Sequence, residues 1–234
     1  MADENTDIII ETVDLTKEYK VQDSVVKALR GVDLKIFSNE FVVIFGPSGC
    51  GKSTLLNVIL GIDRPTSGTI KLAGKDLYRY TEDSRGAFRA RKIGMVHQLP
   101  YWVKSLNVLE NVAMPLIIRG LNQKSSLERA GKVMDDIGIS DLKDHLPTQL
   151  SGGQQQKVGV ARAIVSNPWI VMADEPTGNL DSRGAAEIIR ILTSLHKVQK
   201  RTILLVTHNE EYWGIGTRRI EMRDGKIVKD NNHG

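Results

Sequence analysis

Gly46-Pro47-Ser48-Gly49-Cys50-Gly51-Lys52-Ser53-Thr54 places a lysine and two hydroxyls directly after spaced glycines. Gly-x-x-x-x-Gly-Lys-Ser is the phosphate-loop pattern. Its glycines let backbone N–H groups converge on phosphate oxygens, because no Cβ blocks the approach. A helix starting there aims the positive end of its dipole at the same anion. Lys52 would reach the β and γ phosphates, and Ser53 would offer a hydroxyl to Mg²⁺. A second stretch, Ile170-Val171-Met172-Ala173-Asp174-Glu175, is an apolar run ending on two carboxylates. The C-terminal edge of a strand is where α/β sheets bind ligands. Asp174 would hold Mg²⁺ through water, and Glu175 could take a proton from an attacking water. The lesser alternative, that the pair merely opens a polar loop before Pro176, loses further ground beside a phosphate loop. A third stretch, Ser151-Gly152-Gly153-Gln154, has capping-box spacing and opens a helix through Val158 and Ala161 to Ile164. Its N-terminus is either a second anion site or an ordinary capped helix end.

The elements around these residues must carry them to strand ends and helix starts. Ile8 to Leu15 and Phe41 to Phe45 read as strands, the latter running straight into Gly46. Ser53 to Leu60 reads as helix closed by Gly61. Ser67 to Gly74 and Lys92 to Val96 read as further strands. Between about Leu99 and Leu150 the pattern turns helical: Asn107 and Glu110 are spaced as a cap, Ser125 and Glu128 as a capping box, and Leu127, Ala130, Val133, Met134 and Ile137 recur on one face. Strands resume at Trp169 to Ala173 and Thr202 to Thr207, around a helix faced by Ala185, Ile188, Leu192 and Leu195. Alternating strand and helix predict a parallel sheet covered on both faces. Arg223-Asp224-Gly225-Lys226 predicts a hairpin turn, and Asp230 to Gly234 a frayed polar tail.

Composition narrows the class. With 41% hydrophobic and 26% charged residues in 234, the chain is long enough for a full core and reads as globular. No span approaches the roughly 18 apolar residues of a membrane helix, and the acidic opening Met1 to Asn5 lacks a secretory pattern, so a cytoplasmic location is expected. The single cysteine, Cys50, excludes an internal disulfide. The basic run Arg85 to Lys92 reads as a solvated face, with phosphate or lipid contact as the other reading; no nucleic-acid partner is expected.

Leu150-Ser151-Gly152-Gly153-Gln154-Gln155-Gln156 resembles the signature of ABC ATPases, and nearly the whole chain then aligns with such a subunit. The resemblance implies an α/β fold: a P-loop NTPase (RecA-like) core with an antiparallel β subdomain and an inserted α-helical lobe. The chain would be a single ABC ATPase domain, residues 1–234, with its core at about 1–98 and 155–234 and the lobe at about 99–154. It implies an ATP hydrolase working as an ATP-dependent homodimer, head to tail, with ATP and Mg²⁺ between one subunit's phosphate loop and the other's signature. ATP would then be held by Tyr19 on the adenine, by Gly46, Pro47, Ser48, Gly49, Cys50, Gly51, Lys52, Ser53 and Thr54, and by Ser151, Gly152, Gly153 and Gln154. Tyr19 could also be only a strand-edge tyrosine.

Catalysis would fall to Glu175, His208, Gln98 and Lys52, and the metal to Ser53, Gln98 and Asp174. Gln98 resembles the glutamine at the hinge of the lobe, His208 the switch histidine, and Asn179-Leu180-Asp181 the loop crossing the dimer seam. His97 stands where a phenylalanine is more usual; it is either a packed neutral residue or a source of pH dependence. Glu110-Asn111-Val112-Ala113-Met114-Pro115-Leu116 resembles the subgroup serving macrolide exporters, lipoprotein-release complexes and antimicrobial-peptide permeases. On that resemblance the chain drives integral-membrane permease subunits docking near Leu99–Pro115 and sits peripherally on the inner face of the cell membrane. Tyr101 and Trp102 either dock such a partner or anchor the lobe. A soluble ABC ATPase without transport is the alternative; a P-loop small-molecule kinase would leave the signature unexplained.

Overall fold

The computed structural model describes residues 8–232, so the acidic opening Met1–Asn5 lies outside the described residues. In chain order the elements are β1 (Ile8–Val21), β2 (Ser24–Phe37), β3 (Phe41–Phe45), α1 (Lys52–Ile59), β4 (Ser67–Leu72), β5 (Lys75–Asp76), α2 (Glu82–Lys92), β6 (Ile93–Val96), α3 (Val108–Ile118), α4 (Gln123–Asp136), α5 (Gly152–Ile164), β7 (Ile170–Asp174), α6 (Ser182–Lys197), β8 (Thr202–Val206), β9 (Arg218–Arg223) and β10 (Lys226–Asn232). They fall into two compact units, one up to Gly86 and from Lys200 onward, the other Ala87–Gln199. No helix among the described residues is long and apolar enough to cross a membrane.

In the first unit β2, β1, β4 and β5 pair antiparallel in that order. The strand expected over Ile8 to Leu15 continues to Val21, and β2 was not expected. Its period-two signal is present, with Leu29, Val32, Leu34 and Ile36 buried between outward Lys27, Arg30 and Lys35, but the interleaved cations dilute its hydrophobicity. β3 lies parallel between β8, with Val43 opposite Leu205, and β9, with Val43 opposite Arg219. Being flanked on both sides, β3 reads as an unbroken apolar run, as buried parallel strands do. The β9 and β10 hairpin turns at Asp224 and Gly225, both at positive φ (48° and 78°), as a tight hairpin demands. Asp230 to Asn232, expected as part of a frayed tail, belong to β10. Arg218 holds them by an ion pair to Asp230 of 2.7 Å and also meets Glu40 at 3.2 Å.

In the second unit β6 and β7 pair in parallel, Val96 opposite Ala173. Helices α3, α4 and α5 enclose an apolar core that includes Val112, Leu116, Met134, Leu142 and Val158. Asn107 and Glu110 form the expected reciprocal cap of α3. The cap expected at Ser125 is instead Asn122, whose Oδ1 accepts from the Ser125 amide. Asn122 leaves the helical region at ψ 137°, so the helix starts before Ser125 can cap it. Asn111, 1% exposed, accepts from the Val103 amide and donates to the carbonyls of Val103, Leu106 and Asn107. It thereby folds the segment ahead of α3 onto the helix.

Candidate functional site

In the first unit the phosphate loop leaves the end of β3 and returns as α1. Gly46 sits at φ 150°, where a Cβ would lie 2.1 Å from the Met222 carbonyl oxygen. Gly51 sits at φ 104°, and its Cβ would meet the Ala28 carbonyl oxygen at 2.4 Å. Both positions require glycine by conformation and by space. Gly51 is also the N-cap of α1 and supplies no side-chain hydrogen bond to it. No side chain at the N-cap therefore competes with an anion for the start of α1. Lys52, 7% exposed, folds back over the loop and donates to the Gly46 and Pro47 carbonyls at 2.7 and 3.0 Å. Ser53 is exposed, Thr54 half-buried, and Pro47, Ser48 and Gly49 line the accessible side. Cys50 is buried at 4% exposure, with its sulfur 3.9 Å from Lys52 Nζ.

The loop is braced from the C-terminal hairpin, a support the sequence did not announce. Gly225 donates to the Cys50 carbonyl at 3.0 Å and accepts from the Arg30 amide at 2.9 Å. Gly225 was legible as a turn residue, but where the turn would land was not. Tyr19, on β1, donates its hydroxyl to Asp63 at 2.7 Å, and Lys17 Nζ lies 4.8 Å from its ring centre. Burial first, then Asp63, pushes its phenol above the ordinary tyrosine range. His208 follows Thr207, whose amide donates to the Ile44 carbonyl at 3.1 Å. His208 and the phosphate loop thus leave neighbouring strand ends.

The second unit gathers the other expected residues. Gln98 stands just past β6, and Asp174 is the last residue of β7, next to the paired Val96 and Ala173. The Gln98 amide nitrogen lies where a Cβ on Gly178 would meet it at 3.0 Å, beside the turn closed by the Gly178 amide on the Glu175 carbonyl at 3.1 Å. Glu175 occupies the left-handed region at φ 46°, a strained state for a non-glycine residue and one that clusters at functional sites. His97 stacks edge-on to Tyr101, and its carbonyl accepts from Gln156 at 2.9 Å. Burial, then the Arg162 charge, lowers His97 below the usual imidazole range, against the pull of Asp174. Trp102 donates to Gln155 at 3.2 Å with Arg162 stacked 4.5 Å from its ring, so it is held against α5. Tyr101 is 75% exposed and lines a cavity of about 350 Å³ with Met95, His97, Pro115 and Arg162.

Ser151 and Gln154 form the expected reciprocal cap of α5: the Gln154 amide donates to Ser151 Oγ at 3.3 Å and the Ser151 amide to Gln154 Oε1 at 2.9 Å. Asp181 caps α6 through the Gly184 amide at 2.8 Å. The two helix starts converge on one cavity of about 630 Å³, lined by Ser151 to Gln154 and by Asn179 to Asp181. Lys157 and Glu187, paired at 2.5 Å, tie α5 to α6 beneath it. That lysine holds the Glu187 carboxyl below its ordinary range.

A family model described as ABC transporter matches residues 29–178. The lipoprotein-releasing system ATP-binding protein LolD of Geobacter metallireducens is 37% identical over 222 residues, which are 95% of this chain and 99% of that protein. The macrolide export ATP-binding/permease protein MacB of Syntrophobacter fumaroxidans is 42% identical over 95% of this chain, which spans only 32% of that longer protein. Among solved structures, a dimeric post-hydrolysis state of the ATP-binding cassette MJ0796, bound to ADP and Pi, superimposes with a TM-score of 0.89 at 35% identity, covering 96% of this chain and 99% of that one. With a bare-ended helix after a phosphate loop, a capped signature helix and these relatives, the chain belongs to the ABC transporter family.

Proposed function

We propose that the chain is the ATP-hydrolysing subunit of an ABC transporter, a single ATPase domain with its helical lobe at about 99–154, acting on separate permease subunits. The observation that carries this is the pair of anion-receptive helix starts: α1, with no side-chain cap, and α5, opening on a cavity. One subunit's phosphate loop and another's signature then enclose each ATP. The dimer of the related MJ0796 cassette supports an ATP-dependent homodimer here, and the names of LolD and MacB favour a transporter over a soluble ATPase.

On this reading Lys52 exchanges its loop carbonyls for the β and γ phosphates, and the α1 amides hold them. Tyr19 supports the adenine. Glu175 polarises the attacking water, Gln98 and His208 orient water and γ-phosphate, and Ser151 closes the site from the other subunit. No cluster of three His, Cys, Asp or Glu side chains able to hold a metal occurs among the described residues. A magnesium site built from Ser53, Gln98 and Asp174 fits the way this ion draws most of its ligands from phosphate and water. Bound Mg²⁺ would neutralise charge developing on the phosphates. The exposed Tyr101 and the cavity beside Pro115 support permease docking near Leu99–Pro115, which would hold the chain at the inner membrane face.

A mixing experiment tests the composite site. Ser151→Ala and Lys52→Ala proteins should each fail to pair with ATP alone but recover ATP-driven dimers when mixed, because one intact site forms per heterodimer. Failure to pair where wild type pairs would contradict the arrangement. Tagged Glu175→Gln, trapped with ATP in host membranes, should bring down a permease; purely soluble partners would overturn the transporter assignment.

A further inference from the structure

Phe45 and Trp213 stack with ring centres 4.1 Å apart and planes inclined by 24°. Phe45 is the last residue of β3, immediately before Gly46, and its backbone is held in the sheet opposite Glu221. Trp213 closes the short turn that begins at His208. In that turn the Asn209 amide donates to Thr207 Oγ1 at 3.1 Å, Asn209 Oδ1 accepts from the Glu211 amide at 3.0 Å, and the Trp213 amide donates to the Glu210 carbonyl at 3.1 Å. The segment after His208 is therefore pinned at one end by β8 and at the other by a ring lying on the root of the phosphate loop. A second observation concerns the same side chain. The indole nitrogen of Trp213 is buried without a hydrogen-bond partner, a penalty that a phenylalanine there would avoid. What the indole contributes is ring face against Phe45.

We propose that Trp213 and Phe45 are positioning residues that hold the His208 turn in register with the phosphate loop, so that hydrolysis depends on the stack while ATP binding does not. This rests on the reading above in which His208 addresses the γ-phosphate. Thr207 fixes the entry to His208 but leaves its exit to the turn. With the stack removed, the turn keeps its own short-range hydrogen bonds and the more distant tie of the Thr217 amide to the Phe41 carbonyl at 2.8 Å, and His208 loses its aim at a phosphate still bound by Lys52 and the α1 amides. Misplacing a group that orients the reacting atoms by about 1 Å costs on the order of a hundredfold in rate.

The test compares Trp213→Ala, Trp213→Phe, Phe45→Leu and His208→Ala in the full chain, measuring steady-state ATP hydrolysis and, separately, nucleotide affinity and melting. Trp213→Ala and Phe45→Leu should each lower kcat by about tenfold or more while the ATP dissociation constant moves by less than about threefold. Trp213→Phe keeps a ring on Phe45 and removes the unpartnered N–H, so its kcat should stay within about threefold of wild type. The idea is overturned if Trp213→Ala and Phe45→Leu hydrolyse ATP normally, if affinity falls in step with kcat, or if Trp213→Phe is as damaged as Trp213→Ala. Should Trp213→Ala fail to fold, Phe45→Leu decides by the same readout. Normal turnover in His208→Ala would remove the γ-phosphate role and this proposal with it. An inactive His208→Ala beside a fully active Trp213→Ala would remove only the stack's role.

Discussion

Glu175 offers a perturbation in which activity and stability should move in opposite directions. Its backbone sits at φ 46°, and a non-glycine residue in that left-handed region costs about 1 to 2 kcal/mol. Glycine relieves that cost but brings back about 0.5 to 1 kcal/mol through the freedom it gains when unfolded. Glu175→Gly should therefore stabilise the fold by about 0 to 1.5 kcal/mol. In a chain of 234 residues each kcal/mol moves Tm by about 2 to 4 °C, so the melt should rise by at most about 6 °C. Glu175→Gln keeps the shape and the strain and removes the base. Loss of a general base is worth about 10² to 10⁴ in rate, or roughly 3 to 5 kcal/mol of barrier. The assay pairs phosphate release from ATP with calorimetric melting of the three proteins. Glu175→Gln should melt with wild type, bind ATP and hydrolyse it very slowly; Glu175→Gly should be equally inactive yet no less stable. Turnover by Glu175→Gln within about threefold of wild type would refute the role, and a Glu175→Gly melt well below wild type would refute the strain argument.

Gly46→Ala and Gly51→Ala drive a Cβ onto the Met222 and Ala28 carbonyls, so both should lose ATP binding in equilibrium titration and fall in stability by about 1 to 3 kcal/mol or more. Asn111→Ala leaves four hydrogen bonds unmade in a buried site; denaturant melts should show a loss of about 2 to 4 kcal/mol, whereas an unchanged midpoint would mean the turn is held otherwise. Lys157 holds the Glu187 carboxyl below its ordinary range. That contribution is full above the ordinary carboxylate range and is lost as pH falls through the lowered value. The Tm difference between wild type and Glu187→Gln should therefore shrink on acidification from neutral pH, and a gap that stays constant would assign the effect to packing.

What could be read from residues alone was whatever is settled over a few residues. The reciprocal caps at Asn107 with Glu110 and at Ser151 with Gln154 are three-residue geometries, and β3, β7 and β8 carry the apolar runs Phe41 to Ile44, Ile170 to Ala173 and Ile203 to Val206 because each of those side chains is buried. The phosphate loop is likewise local, its glycines spaced for backbone contact with an anion, and with the signature it sufficed to indicate the family. The Ser125 box failed for an equally local reason, since Asn122 offered a cap first. Other features depended on residues far apart in sequence. The pairing that turns the cation-dotted β2 into a strand, the Arg218 and Asp230 bridge that orders the supposed tail, the packing of His97 and Trp102, the Gly225 brace under Cys50 and the Trp213 ring on Phe45 are contacts between segments that meet only when the chain has closed its sheets. Their free energy comes from burying and pairing groups together, and no short window of sequence contains both partners.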